Sequence, residues 1–232
     1  MTNYKLIPNC YELLDTCPIV SNACVYGFVE AVRRAKYPMA VDMDVLDGTL
    51  TDGIVKIAKA EKGSGHDNWL NGVVVQFDLT FSNKAWVEME RYHFIDFISS
   101  QSTMHRITRF DLDKPGAYIK YTDPRMIEIM QELVADYNES KEAAEYYRAH
   151  VNLEAPYSED VQKDFDRAAK ENYLKVLYSN PCGFRLTAGM TTNYRQLKTI
   201  YAQRRNHRLP EWREFCKWIE TLPYSELITG AD

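Results

Sequence analysis

Met190-Thr191-Thr192-Asn193-Tyr194-Arg195, followed nine residues later by Arg204-Arg205, is the stretch from which the fold is read. Its Thr/Asn start has the chemistry of a helix cap, and the spacing predicts a helix over 191–207. That helix carries one amide and two or three guanidiniums, and the steps from Asn193 to Arg195 and on to Arg204 make no clean apolar stripe. A polar, arginine-bearing face that begins at a cap is suited to anions, because guanidiniums bind phosphate or carboxylate bidentately and stay charged. A solvated basic face is the plainer reading of the same residues.

Outward from this segment, Pro210 suits the first turn of a final helix over 210–221. Upstream, Asn180-Pro181-Cys182-Gly183 ends one of two long helical segments, 126–149 and 158–178, rich in Glu, Lys, Ala and Tyr. Pro124 stands at the first turn of the earlier one. Val73, Val75, Phe77, Leu79 and Phe81 alternate with Val74, Gln76, Asp78 and Thr80, which predicts a strand. Ser82 or Asn83 then caps a helix expected from about Lys84 to Phe97. Residues 22–36 read as a helix capped by Ser21 or Asn22, with Val25, Phe28, Val29 and Val32 on its apolar face. Residues 45–65, with four glycines and many polar groups, read as a loop. Helix dominates and the sheet is small, so the class is α+β, expected as a single domain over 1–232.

The chain has 232 residues, 45% of them hydrophobic and 12% aromatic, which is a folding composition. A net charge of −5 argues against a duplex nucleic-acid binder. It leaves room for a locally basic pocket around Arg185, Arg195, Arg204, Arg205, Arg208 and Arg213. Five cysteines include Cys10, Cys17 and Cys24 at seven-residue intervals. The spacing predicts one buried helix face, and the odd count predicts reduced thiols in a cytoplasmic protein. There is no Cys-x-x-Cys, so no metal site is expected. No apolar run approaches membrane-spanning length and the start lacks a signal-peptide core.

Two further clusters carry chemistry. Gly65-His66-Asp67-Asn68-Trp69-Leu70 precedes the strand. His66 there reads on its own as a structural or simply exposed loop residue. Glu90-Arg91-Tyr92-His93, then Ser99-Ser100-Gln101-Ser102-Thr103-Met104-His105-Arg106, concentrates hydroxyls, imidazoles and guanidiniums with no glycine-rich cofactor loop. A hydroxyl-rich turn flanked by arginine suits a phosphate or a pyrimidine edge. A polar loop at a helix end is the alternative.

In this order and spacing the clusters resemble the flavin-dependent thymidylate synthases, the ThyX family. Thr-x-Asn-Tyr-Arg with Arg204 beyond it is similar to that family's C-terminal helix, and Pro181 lies twelve residues before Asn193, as it does there. His66 matches a histidine-led loop before a similar strand. Arg91-Tyr92-His93 stands for Arg-His-Arg, if two residues are inserted before the next motif. Ser100 to His105 stands for the family's Ser/Asn-Gln/Glu-x-Ser-x-Arg run. Thr103 then keeps the serine's hydroxyl, and His105 replaces an arginine with Arg106 beside it. The likeness spans about 66–106 and 172–218.

The resemblance implies a sheet of antiparallel or mixed strands flanked by long helices, with flavin and nucleotide motifs over 65–110 and FAD- and dUMP-binding helices over 172–222. It implies a homotetramer with shared sites, and FAD, NADPH and methylenetetrahydrofolate acting on dUMP to give dTMP. Cofactor binding falls to His66, Arg91, His93, Asn193 and Arg195. Substrate binding falls to Ser100, Gln101, Thr103, His105, Arg106, Arg204 and Arg205, with Arg204 and Thr103 at the chemistry. Arg205 takes the place of Arg204 if the register is measured back from Trp212. Hydroxymethylation of a pyrimidine nucleotide and a non-catalytic nucleotide-binding homologue are the alternatives.

Overall fold

The computed structural model describes residues 4–7, 10–61, 63–150 and 159–230. Its elements, in chain order, are β1 (Tyr4–Ile7), β2 (Cys10–Leu13), β3 (Val20–Tyr26), α1 (Phe28–Ala35), α2 (Asp52–Ala58), β4 (Val74–Ser82), α3 (Asn83–Met89), β5 (Asp96–Ser100), α4 (Thr103–Arg106), α5 (Pro124–His150), α6 (Glu159–Ser179), β6 (Arg185–Asn193), α7 (Tyr194–Arg204), α8 (Pro210–Ile219) and α9 (Glu226–Thr229). The class is α+β, as expected. The described strands form one sheet in the order β1-β2-β3-β4-β6-β5. The pairs β1–β2, β2–β3, β3–β4 and β5–β6 are antiparallel.

The chain divides into two compact units. One comprises the described residues of 1–81, 85–100 and 187–232; the other comprises 82–84 and 101–186. In the first, β4 and the residue before it keep the alternation read from the sequence: Val73, Val75, Phe77, Leu79 and Phe81 are all buried. Helix α8 covers that face with its aromatic residues. Phe77 meets Trp218 at 4.8 Å and Phe215 at 5.7 Å between ring centroids, and Phe81 meets Trp212 at 5.3 Å. Each such buried ring contributes about 1.5–3 kcal/mol relative to leaving it exposed.

In the second unit α5 and α6 pair antiparallel. Asn172 reaches Ser140 at 3.2 Å while Arg148 meets Asp166 at 2.6 Å. Beneath them Ile107, Leu112, Met130, Val176 and Phe184 form a core. Residues around 118 bridge to Phe184, with the Ile119 amide donating to the Gly183 carbonyl at 2.9 Å.

Several expectations change. Residues 22–36 are not one helix: Val20–Tyr26 is a strand, and only Phe28–Ala35 is helical. Ser21-Asn22, read as a cap, sits at a β-bulge, with Asn22 at φ 52° and its amide donating to Asp78 at 2.7 Å. The 45–65 loop contains α2. The helix expected to Phe97 stops at Met89, and Phe97 belongs to β5. The helix expected from 191 starts at Tyr194, because Ala188, Met190 and Thr192 alternate inward and extend β6 to Asn193. Cys10 and Cys24 lie diagonally on adjacent antiparallel strands and form a disulfide, with Cα atoms 6.5 Å apart. The seven-residue interval is therefore not a helix face, and this pair is not reduced. The helices at 124–150, 159–179 and 210–219 match their predicted spans closely, and Pro210 occupies the first turn as expected.

Gly27 makes the β3-to-α1 turn possible. It holds φ 72°, and a Cβ there would lie 2.7 Å from the Gly72 carbonyl oxygen. Left-handed backbone costs a non-glycine residue about 1–2 kcal/mol, and this contact is with backbone that cannot rotate away. Gly27→Ala is expected to lower unfolding free energy by about 2–4 kcal/mol in denaturant titration. A loss under about 0.5 kcal/mol would contradict this packing of the 3₁₀ turn Asn68–Gly72 against α1.

Candidate active site

The site in the first unit begins with a buried carboxylate. Asp67 is 2% exposed and ends the polar loop before β4. Its Oδ1 accepts from Arg195 Nε at 3.1 Å and its Oδ2 from Lys198 Nζ at 3.0 Å. Arg195 and Lys198 are three residues apart on α7, so both reach the same side of the helix. The Lys198 ammonium also donates to the carbonyls of Ala58 at 2.7 Å and Ala60 at 3.1 Å. Its three donors are thereby used, and the segment between α2 and β4 is tied to the first turns of α7.

Asn193 caps α7: its side-chain oxygen accepts from the Gln196 amide at 2.9 Å. This bears out Asn193 as a cap and leaves its NH₂ group to face a ligand. The Tyr194 amide donates to the Val73 carbonyl at 3.0 Å, which sets the start of α7 beside the start of β4. Thr192 Oγ1 donates to the Phe94 carbonyl at 2.8 Å and brings in the loop after α3. Phe94 sits at φ 62°, unusual for a non-glycine residue.

These elements enclose a cavity of about 790 Å³ whose lining includes Arg91, His93, Asn193 and Arg195. Four of the five residues expected to bind cofactor therefore share one space. Asp67, Asn71, Gln196, Lys198 and Gln203 line it too. Arg91 and His93 are exposed, and no described residue pairs with either. Three permanent cations against one carboxylate make the lining net positive. His66, the fifth, lines a separate cavity along α2, with Asp52, Lys56 and Lys59.

Arg204 and Arg205 differ sharply. Arg204 points inward, its side chain 15% exposed. Its Nη1 donates to Glu88 at 2.8 Å and its Nε to the Tyr92 hydroxyl at 2.7 Å. The guanidinium lies 4.8 Å from the centre of the Trp212 ring, and His207 meets the same Glu88 at 3.2 Å. Arg205 is exposed, over the Tyr201 ring at 5.9 Å. Ser100 closes β5 in this unit. Gln101, Thr103, His105 and Arg106 belong to the second unit, where Thr103 opens α4 and the exposed His105 and Arg106 close it.

Sequence reading missed the parts that hold the site together. Asp67 sat inside a quoted motif without a role, and Glu88, Lys198 and Gln203 had none. The three-residue step from Arg195 to Lys198 was the available signal for the clamp. Nothing local marks Glu88 as the partner of Arg204, since 116 residues separate them.

A flavin-dependent thymidylate synthase, ThyX, from Helicobacter pylori, solved with FAD and dUMP, superposes with a TM-score of 0.51 at 13% identity, over 92% of this chain and 95% of that one. A second structure of ThyX from the same organism with FAD and dUMP gives 0.50 at 13% identity and the same coverage. The fold is that of ThyX. No protein-family model matches the sequence, and no curated protein does. No described helix is long and apolar enough to cross a membrane.

The cavity suits an anionic ligand that carries a flat heterocycle. Arg91 and Arg195 offer guanidinium donors for phosphate, and Asn193, Gln196 and Gln203 offer amides for the edge of a flat heterocycle. Asp67→Ala would leave Arg195 and Lys198 facing each other without their shared counter-charge. Both cations are partly exposed, so the expected loss is about 2–3 kcal/mol rather than the full cost of a buried pair. Denaturant titration reads the loss. Faster hydrogen exchange is expected at amides of the segment between α2 and β4. An unchanged midpoint and unchanged exchange would remove the clamp from the account.

Proposed function

We propose that this chain is a divergent ThyX-like enzyme that converts dUMP to dTMP, with methylenetetrahydrofolate as the one-carbon source and NADPH as the reductant. The observation that carries the reading is the meeting of Arg91, His93, Asn193 and Arg195 in one net-positive cavity of a ThyX fold. FAD bound there would relay reducing equivalents from NADPH. Arg91 and Arg195 would hold its phosphates, and the free NH₂ of Asn193 would orient its ring. Arg204, fixed by Glu88 and Tyr92, would present its remaining donors to the pyrimidine and stabilise charge developing on a ring oxygen. Ser100, which ends β5 in the same unit, would supply a nucleotide contact. Such catalysis is positioning and electrostatics, with no protein nucleophile.

Titration with FAD, followed by flavin fluorescence, tests the reading. Saturable binding is expected, and Arg91→Ala should weaken it about tenfold while leaving the circular dichroism spectrum unchanged. With FAD, NADPH and methylenetetrahydrofolate supplied, Arg204→Ala should lose dUMP turnover by at least about a hundredfold, and Arg205→Ala by no more than about threefold. No FAD binding at about 100 µM would defeat the proposal. A dead Arg205→Ala beside an active Arg204→Ala would shift the register by one residue.

The same reading includes a homotetramer. Helix α5, 27 residues long, buries only Met130 and Ala144 among its described side chains. Phe97 and Ile98 of β5 are exposed at 44% and 58%. Apolar surface of this kind on a long helix and an edge strand is suited to other copies of the chain. Light scattering coupled to size exclusion should give about four times the 27.0 kDa of one chain, and Ile98→Asp should shift it to smaller species. A wild-type monomer would refute the assembly.

A further inference from the structure

The Cys10–Cys24 disulfide of the first unit lies outside the cavity, on the face of the sheet away from the core. Tyr11 and Val25, the inward neighbours of the two cysteines, are buried. Glu12, Tyr26 and Gln76, each a ladder partner of one of the cysteines, are exposed. A small reductant can therefore reach the bond. The bond also fastens a narrow attachment. Strand β1 pairs with β2, and β2 meets β3 over Cys10↔Tyr26, Tyr11↔Val25 and Glu12↔Cys24. A two-stranded ribbon holds weakly on its own, so the covalent link carries much of its attachment to the sheet.

The two other thiols of this unit do not compete for the bond. Burial raises the Cys17 thiol and pushes that of Cys216 up to about 12. Thiolates are the attacking species in exchange, and neither residue offers one near neutral pH.

Tyr11, next to Cys10, leads inward. Its ring meets Phe28 edge-on at 6.1 Å; Phe28 meets Tyr194 at 6.5 Å and stacks on Tyr224 at 4.3 Å. Tyr194 opens α7 between Asn193 and Arg195, both of which line the cavity. Its hydroxyl donates to the Pro223 carbonyl at 2.6 Å. Tyr11, Phe28 and Tyr194 are buried, and a close-packed interior passes a displacement on because it has little slack to absorb it.

We propose that the Cys10–Cys24 pair is a redox latch. Joined, it seats Tyr11 on Phe28 and holds the start of α7 in place. Opened by a dithiol, it frees the β1–β2 ribbon and slackens that start. One thiolate of the dithiol attacks a cysteine sulfur and forms a mixed disulfide, while the other cysteine leaves as a thiolate and takes a proton. The second thiol of the reductant then attacks the reductant sulfur of that mixed disulfide and releases the first cysteine. The chain gains two electrons and two protons, and the dithiol departs as its own disulfide. The effect on FAD rests on the reading of the cavity given above; the effect on α7 does not.

Hydrogen exchange and FAD titration on the full-length chain test the latch. The chain is measured oxidised, then reduced with dithiothreitol and desalted without oxygen. Thiol titration of the unfolded protein should count the three free cysteines before reduction and the bonded two as well after it. Reduction should speed exchange in β2, in β3 and at the Tyr194 and Gln196 amides by about tenfold or more. It should weaken FAD binding by about fivefold or more, and reoxidation should restore both. Cys24→Ser should give the reduced values in either state, and Cys17→Ser should respond as the wild type does. Looser strands alone would follow from opening any disulfide, so Tyr194 and Gln196 decide. Unchanged exchange there on reduction overturns the latch, as does a response that survives in Cys24→Ser, or FAD bound equally well in both states. If FAD binds in neither state, the reading of the cavity fails, and exchange at the start of α7 decides the latch alone.

Discussion

Asp67 is a carboxylate buried against two cations of one helix, and the first unit is organised around it. Removing a carboxylate from water is costly unless charge and hydrogen bonds meet it. Here Arg195 and Lys198 do so, and Lys198 spends its other donors on Ala58 and Ala60. One acid thereby fixes the rotation of α7 about its axis, the approach of the segment that follows α2, and the direction in which the Arg195 guanidinium faces. With that rotation set, Asn193 opens toward the cavity and Arg204, eleven residues along, turns in to Glu88 and Trp212.

The sequence carried the parts of this arrangement that depend on period. Val73, just before β4, and four alternating apolar residues in β4 are all buried, because a strand with one face on a helix must alternate. The long helices and Pro210 were equally plain. What failed was local chemistry with two meanings. Ser21-Asn22 can cap a helix or turn a bulge, and tertiary pairing with Asp78 chose the bulge. Thr191-Thr192-Asn193 likewise looked like a helix start, yet only its last residue caps, since Thr192 is drawn inward with the strand. Cysteines at a seven-residue interval mimicked a helical repeat across two paired strands.

The candidate site was legible to a similar depth. Arg91, His93, Asn193 and Arg195 were found by type and order, and they do line one space. Their supports were not found. Glu88 and Gln203 act through Arg204 and Tyr92, and Asp67 acts through α7; such contacts join residues more than a hundred positions apart. His66 shows the converse, a residue that fits a motif and faces a different cavity.

Phe94 has a consequence of its own. A phenylalanine at φ 62° holds about 1–2 kcal/mol of conformational strain that glycine would not. The Thr192 hydroxyl on its carbonyl keeps it there. The loop carrying Arg91 and His93 is therefore set before any anion arrives, and little ordering entropy is left for a ligand to remove. Arg91 and His93 would act as a template rather than as a closing hand. Association there would be governed by shape and charge at first encounter, with no slow rearrangement to wait for.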